Sequence, residues 1–156
     1  MPPAVQNPPQ GYHTLTPYMT VRDARAAIDF YAKAFGAEKV LQLDMPDGGV
    51  AHAEIRIGNS IVMLSEENEA WGTKSPLALG GSPMFLMAYV DDVDAAFRRA
   101  LAAGATEVRP VADQFYGDRS GTLKDPYGHQ WTLSTHIEDV SEAEAQRRME
   151  AEFGKA

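Results

Sequence analysis

Cysteine is missing from this chain altogether. Its absence excludes disulfides, thiolate metal centres and a cysteine nucleophile at once. Long apolar runs are missing too: none approaches the ~18 residues that a membrane-spanning helix needs. The opening MPPAVQNPPQG has neither the basic start nor the apolar stretch of a secretory signal. The expected compartment is therefore the cytoplasm, with no membrane partner. Basic residues are scarce, with 14 Lys and Arg against 22 Asp and Glu and a net charge of -8. Nucleic acid is not an expected partner, because binding a polyanion needs a basic face. The acidic balance serves solubility and is compatible with a cationic small ligand. Common catalytic signatures are absent as well: there is no GxSxG elbow, no Walker motif and no dinucleotide fingerprint.

What the chain does have is a repeat. VRDARAAIDFYAKAFGAEKV from Val21 and VDDVDAAFRRALAAGATEVRPV from Val90 share one plan. An aspartate in N-cap position, Asp23 or Asp92, follows a β-like run and opens a helix. A glycine, Gly36 or Gly104, closes that helix and a strand pattern follows. GNSIVML from Gly58 and GHQWTL from Gly128 also occupy matching places, each a turn glycine leading into an apolar strand. The predicted elements are a strand over 13–21, a helix over 23–35 and strands near 38–45, 50–57 and 60–65. The second copy gives a strand over 84–90, a helix over 92–103 and strands near 106–112, 119–124 and 129–135. A last helix over 141–153 opens at Ser141 with Glu144 three residues on, a capping-box pattern. The expected fold class is thus α+β: two tandem βαβββ modules, near 11–66 and 83–140, around a linker over 67–82, with a C-terminal helix in 141–156. A proline-rich, flexible arm over 1–10 precedes them.

One helix per module can cover one face of a four-stranded sheet. The other faces are expected to line a cup where a small molecule binds. Strand parity assigns the side chains. Leu15, Met19 and Val21 suit the helix side, which turns Thr16 and Tyr18 to the cup. In AHAEIRIG, the apolar Ala53 and Ile55 take the core side, so His52, Glu54 and Arg56 project together on the other. Phe85, Met87 and Tyr89 are expected in the cup from the second copy. In QWTLSTH, Trp131 and Leu133 belong to the core and Gln130, Thr132, Ser134 and His136 to the cup. GDRSG at 117–121 reads as a loop at the rim, with Tyr116 and Arg119 as ligand contacts. An exposed sheet face with loosely paired polar residues would carry the same pattern.

Four stretches in order, GYHTLTPYMTV, DFYAKAFGAE, AHAEIRIGNS and DPYGHQWTLSTHIEDVS, resemble the vicinal oxygen chelate superfamily, and specifically its PhnB-like branch. That superfamily includes glyoxalase I, extradiol dioxygenases, fosfomycin-resistance enzymes and bleomycin-binding proteins. The resemblance implies a single glyoxalase/bleomycin-resistance-like domain over about 11–140 and assembly as a homodimer. It also implies a divalent ion held by four His or Glu side chains, one on each of four cup strands. Carried onto this chain, those places fall at Thr16, Val62 (or Met63 with a register slip of one), Phe85 and Thr132. None offers an imidazole or carboxylate, so the expected cofactor is none. The alternative is a displaced Zn, Ni or Mn site using His52 and Glu54 with His136 or His13.

Three functions stay open at this point. One is a metal-free protein that binds a small organic molecule through Thr16, Tyr18, Arg56, Phe85, Met87, Tyr89, Tyr116, Arg119, Lys124, Thr132 and His136. A second is a lyase, isomerase or transferase in which His52 and Glu54 move a proton, with Arg56 or Lys124 as electrophile. The third is an interaction domain without a small ligand.

Overall fold

A computed structural model describes residues 1, 2 and 4–154, so Pro3 of the arm and positions 155–156 beyond the last helix lie outside the described residues. The chain divides into two compact units between Ser82 and Pro83. The first unit runs β1 (Tyr18–Val21), α1 (Ala24–Phe35), β2 (Glu38–Asp44), β3 (Val50–Ile57) and β4 (Ser60–Glu66). A 3-10 turn at Glu69–Trp71 and the short α2 (Pro76–Leu79) complete it. The second unit runs β5 (Phe85–Tyr89), α3 (Val93–Ala103), β6 (Thr106–Asp113), β7 (Asp118–Lys124), β8 (Gln130–His136) and α4 (Glu142–Phe153). Each unit holds one four-stranded mixed sheet, ordered β1-β4-β3-β2 and β5-β8-β7-β6. The first-named pair of each sheet is parallel and the others antiparallel. The fold is therefore α+β with two tandem βαβββ modules and a terminal helix, as the repeat predicts. Among the described residues, no helix is long and apolar enough to cross a membrane.

Local chemistry places the helices. The Asp23 carboxylate accepts from the Ala26 amide at 3.0 Å, and Asp92 accepts from Ala95 at the same distance. Each satisfies one of the free donors at a helix start. Ser141 caps α4 through the Glu144 amide at 3.2 Å, while the Glu144 carboxylate turns to Arg147 and Arg148. Helix α1 buries Ala27, Ile28, Phe30, Tyr31 and Ala34, and α3 buries Val93, Phe97 and Ala100. Across the first sheet they meet Met19, Ala53, Ile55, Val62 and Leu64, and across the second Leu123, Trp131 and Leu133. Burying each large side chain contributes ~1.5–3 kcal/mol. Gly121 lets α3 lie close to β7: a Cβ there would stand 2.8 Å from the Phe97 ring.

Several boundaries differ from expectation. β1 begins at Tyr18 and not near residue 13, and Leu15 is exposed. Pro17 has no amide hydrogen to continue the ladder; its carbonyl accepts from the Met63 amide at 2.9 Å. Thr16 thus precedes the strand. The 117–121 stretch is not a rim loop, because β7 starts at Asp118 and the hairpin turn lies before it, where the Gln114 amide donates to the Asp118 carbonyl at 2.7 Å. The 67–82 linker is also built: Glu67 accepts from both the amide and the hydroxyl of Ser75.

β2 and β6 each carry a bulge at the same place of the repeat. Pairing steps from Lys39 to Leu41 in β2 and from Glu107 to Arg109 in β6 while the partner strand advances by one residue. Val40 and Val108 are the extra residues. A bulge of this kind turns the side chains that follow to the opposite face until the next register shift, which comes between Leu43 and Asp44 in β2 and between Arg109 and Ala112 in β6.

Candidate functional site

In the first unit the helix-free face is fixed by register. Tyr18 pairs with Met63, and Met63 with Glu54, so these three form one row across β1, β4 and β3. Val62 pairs with Ile55 on the core side and is 5% exposed. The position on the open face is therefore Met63, which corrects the first choice of Val62. His52 lies two residues from Glu54 on the same face, as period two requires.

These side chains are joined. The Tyr18 hydroxyl lies 2.8 Å from His52 Nδ1, and His52 Nε2 lies 3.1 Å from Glu54 Oε1. The Tyr12 hydroxyl donates to the other oxygen, Glu54 Oε2. Glu54 is buried at 5% exposure, while Tyr18, at 50%, opens to solvent. The Glu54 hydrogen bond is the main cause that raises the Tyr12 phenol above its ordinary value. Arg56 is exposed and lies 3.9 Å from Glu38, a loose contact. No sequence signal pointed to Tyr12, which sits six residues before β1.

The second unit has the same rows with different chemistry. Met87, Thr132 and Thr122 align across β5, β8 and β7, and Tyr89, Ser134 and Ser120 form the next row. The Thr122 and Thr132 hydroxyls share a hydrogen bond of 2.9 Å. A cavity of about 210 Å³ opens over this face. Phe85, Met87 and Tyr116 give it aromatic and thioether walls, and Gln114, Gln130, Thr122 and Thr132 give it polar groups. Arg109 also lines it, and among its described lining residues Arg109 alone is charged.

Arg109, Gln114 and Thr122 were not among the expected contacts. Plain alternation along β6 sets Arg109 on the face of Glu107, which pairs with core Leu123; the bulge at Val108 brings Arg109 opposite Thr122 instead. Arg119 goes the other way. It stands on the helix side of β7, where it donates to Asp94 at 2.8 and 2.9 Å and to Asp113 at 3.0 Å. That double pairing removes it from the cavity and corrects its reading as a rim contact. Lys124 pairs with Gln130 on the open side but does not line the cavity.

Tyr89 and His136 meet at Asp118. The Tyr89 hydroxyl donates to Oδ2 at 2.9 Å and the Ser134 hydroxyl to the same oxygen at 3.1 Å. His136 Nδ1 stands 2.8 Å from Oδ1, and its Nε2 stands 2.8 Å from Asp139. Burial pushes the Asp118 carboxyl up, but hydrogen bonds from His136, Tyr89 and Ser134 outweigh it and hold it below its ordinary value. Asp139 and then Asp118 raise His136 above its ordinary 6.5. A raised imidazole contributes stability that is complete below its unfolded value and is lost as pH climbs through the folded one. The lowered Asp118 contributes stability that persists above its unfolded value and is lost only as pH falls through its folded value. Melting temperatures of the native chain and H136Q are thus expected to lie furthest apart below the ordinary value of 6.5 and to converge as pH climbs through the raised folded value. A gap that widens with pH in thermal scans would contradict the pairing.

The donor set does not fit the metal that the family implies. Thr16 precedes β1, Met63 offers a thioether, Phe85 has no donor, and the Thr132 hydroxyl is shared with Thr122. Zn and Ni take imidazole, and Mn carboxylate, far better than neutral hydroxyls. His136, which with His13 was one of two candidate third ligands for a displaced site, is committed to Asp118 and Asp139. Among the described residues, no group of three or more His, Asp and Glu could hold a metal ion.

Known proteins match this architecture. The chain is 44% identical over 141 residues to the uncharacterized protein Mb0911c of Mycobacterium bovis, spanning 88% of this chain and 93% of that one. The crystal structure of TioX from Micromonospora sp. ML1 superposes with a TM-score of 0.64 at 28% identity, covering 80% of this chain and 99% of TioX. A PhnB protein from Bacillus cereus, at 22% identity and a TM-score of 0.61, covers 79% of this chain and 98% of its own, and that likeness is one of fold. The model of the Glyoxalase/Bleomycin resistance protein/Dioxygenase superfamily spans residues 12–133. The chain belongs to that superfamily.

Proposed function

We propose that this chain binds a small organic molecule in the cavity of its second unit, without the metal common in the superfamily. The observation that carries this reading is the cavity's composition. Arg109, the one charged group among the described lining residues, faces a pocket walled by Phe85, Met87 and Tyr116, with amide and hydroxyl groups also lining it. Small-molecule sites have this make-up, apolar walls with a few directed polar groups. The volume of about 210 Å³ falls below the ~300–1,000 Å³ of drug-sized sites, so the occupant is compact. The charge of Arg109 favours an anionic aromatic compound over a cationic one, although the whole chain is acidic.

Calorimetric titration with benzoate, benzyl alcohol and benzylamine tests the reading. Benzoate is expected to bind best, and R109Q to weaken it about tenfold, as loss of one charge-assisted hydrogen bond does. No heat with any of the three would defeat the proposal, and so would a stoichiometric ion that survives dialysis of the purified protein. Pairing of two chains is part of the same reading. β2 and β6 are sheet edges, and Leu41, Leu43 and Val108 on them are exposed, which gives a reason for self-association. Light scattering on the titrated samples reads it, and a monomer at micromolar concentration counts against it.

A further inference from the structure

Tyrosines in this protein meet carboxylates in two different ways. Tyr12 donates directly to Glu54 and Tyr89 directly to Asp118. In both, that bond to a carboxylate holds the proton on the phenol and raises its pKa. Tyr18 differs because an imidazole stands between it and the nearest carboxylate. Its hydroxyl is 2.8 Å from His52 Nδ1, and His52 Nε2 is 3.1 Å from Glu54.

The order of groups decides the direction of proton flow. Glu54 accepts from Tyr12 on one oxygen and sits beside His52 Nε2 on the other. An ionised carboxylate only accepts, so Nε2 carries the hydrogen and Nδ1 is left with its lone pair. Nδ1 then accepts from the Tyr18 hydroxyl. A proton leaving Tyr18 passes to His52, and the imidazolium so formed is stabilised by a carboxylate only 5% exposed to solvent. This is the relation of nucleophile, base and orienting acid found in hydrolytic triads, here with a phenol in first place. Tyr18 is 50% exposed, so it can be reached by an incoming molecule, while His52 is half-buried and Glu54 behind it is buried.

We propose that Tyr18, His52 and Glu54 form an acid–base chain whose reacting end is the Tyr18 oxygen, a nucleophile toward small carbonyl electrophiles such as activated esters. With p-nitrophenyl acetate, a bond forms between the Tyr18 oxygen and the acetyl carbon. The ester C–O bond breaks and p-nitrophenolate leaves with the electron pair. The Tyr18 proton moves to His52 Nδ1. The imidazolium then releases that proton to solvent. Water attacks the acetyl-tyrosine, giving a proton to the neutral imidazole, which passes it to the departing Tyr18 oxygen, and acetic acid leaves and ionises to acetate. None of these atoms lies in the second unit's cavity, so the proposal stands apart from ligand binding there.

The full chain is mixed with p-nitrophenyl acetate, nitrophenolate release is followed by absorbance, and the acetylated residue is located by peptide mass spectrometry. A burst is expected with the label on Tyr18, ahead of Tyr89 and Tyr116, which are also exposed. Y18F removes one oxygen, keeps the ring and is expected to abolish the burst, and H52Q to slow it about 10²-fold, as loss of a general base does. A burst that survives in Y18F, an unchanged rate in H52Q, or label spread evenly over the exposed tyrosines each overturns the proposal. Nitrogen NMR of the unaltered protein gives a reading that needs no variant: His52 is expected to carry its hydrogen on Nε2, and the opposite tautomer also overturns it.

Discussion

Replacing Asp125 by alanine is expected to destabilise the protein by about 3–5 kcal/mol, several buried donors losing their acceptor together. The carboxylate is 4% exposed. Its Oδ1 accepts from the Tyr127 amide at 2.9 Å and the His129 amide at 3.0 Å, and its Oδ2 from the Trp131 indole at 2.9 Å. The Asp125 backbone closes the same turn, donating to the His129 carbonyl at 2.9 Å and accepting from Gly128 at 3.1 Å. One side chain thus holds the β7–β8 hairpin and orients the indole that fills the core beneath it. At this chain length the loss corresponds to a fall in melting temperature of roughly 10 °C. W131F removes one of these donors and leaves the Tyr127 and His129 amides on Oδ1, so it is expected to cost less. The double variant should lose less than the sum of the two, because the deleted bond is counted twice. Strict additivity in urea unfolding would show that the indole bond contributes nothing. The same hairpin carries Thr122, Gln130 and Thr132 of the cavity, so D125A is also expected to weaken benzoate binding in calorimetry.

Gly117→Ala is the second large effect. Its φ of 99° is a conformation that a side chain resists, and an added Cβ would stand 2.1 Å from the Glu138 carbonyl oxygen and 3.0 Å from Val140. Strain and collision act together, and the backbone must move. It is not free to do so, because the Gly117 carbonyl accepts from the Ile137 and Glu138 amides at 2.9 and 3.0 Å. A loss of at least about 3 kcal/mol is expected. Gln114 and Tyr116, on the same turn, line the cavity, so ligand affinity should fall even at temperatures where the variant is folded. Chemical denaturation showing a loss below about 1 kcal/mol would mean that the turn relocates without penalty.

The two variants sit on opposite sides of what could be read in advance. Asp125 lies in a Pro-Tyr-Gly turn between two strand patterns, and Trp131 and Leu133 alternate with polar residues after it, so the hairpin's second strand was evident. The turn at Gly117 was not: GDRSG has the composition of a loop, yet Gly121 serves the close passage of Phe97 and Arg119 answers Asp94 from the neighbouring helix. Both reasons lie in α3, far along the chain. β1 fell short of expectation because Thr14, Leu15 and Thr16 alternate well, while the missing hydrogen of Pro17 breaks the ladder where alternation gives no sign. His52 and Glu54 were placed on one face by their spacing. Their link to Tyr18 spans β4, and the approach of Tyr12 comes from outside any strand, so neither could be read from periodicity.

Sequence alone determined the repeat, both helix starts and the core side of β3 and β8. Each depends on residues within a turn or two of one another, where capping and period operate. Tertiary structure decided which strands lie side by side, that bulges at Val40 and Val108 rotate the edge strands, and hence that Arg109 enters a cavity while Arg119 leaves it. Those outcomes are set by hydrogen-bond register between segments distant in the chain, and a slip of one residue exchanges the two faces of a strand.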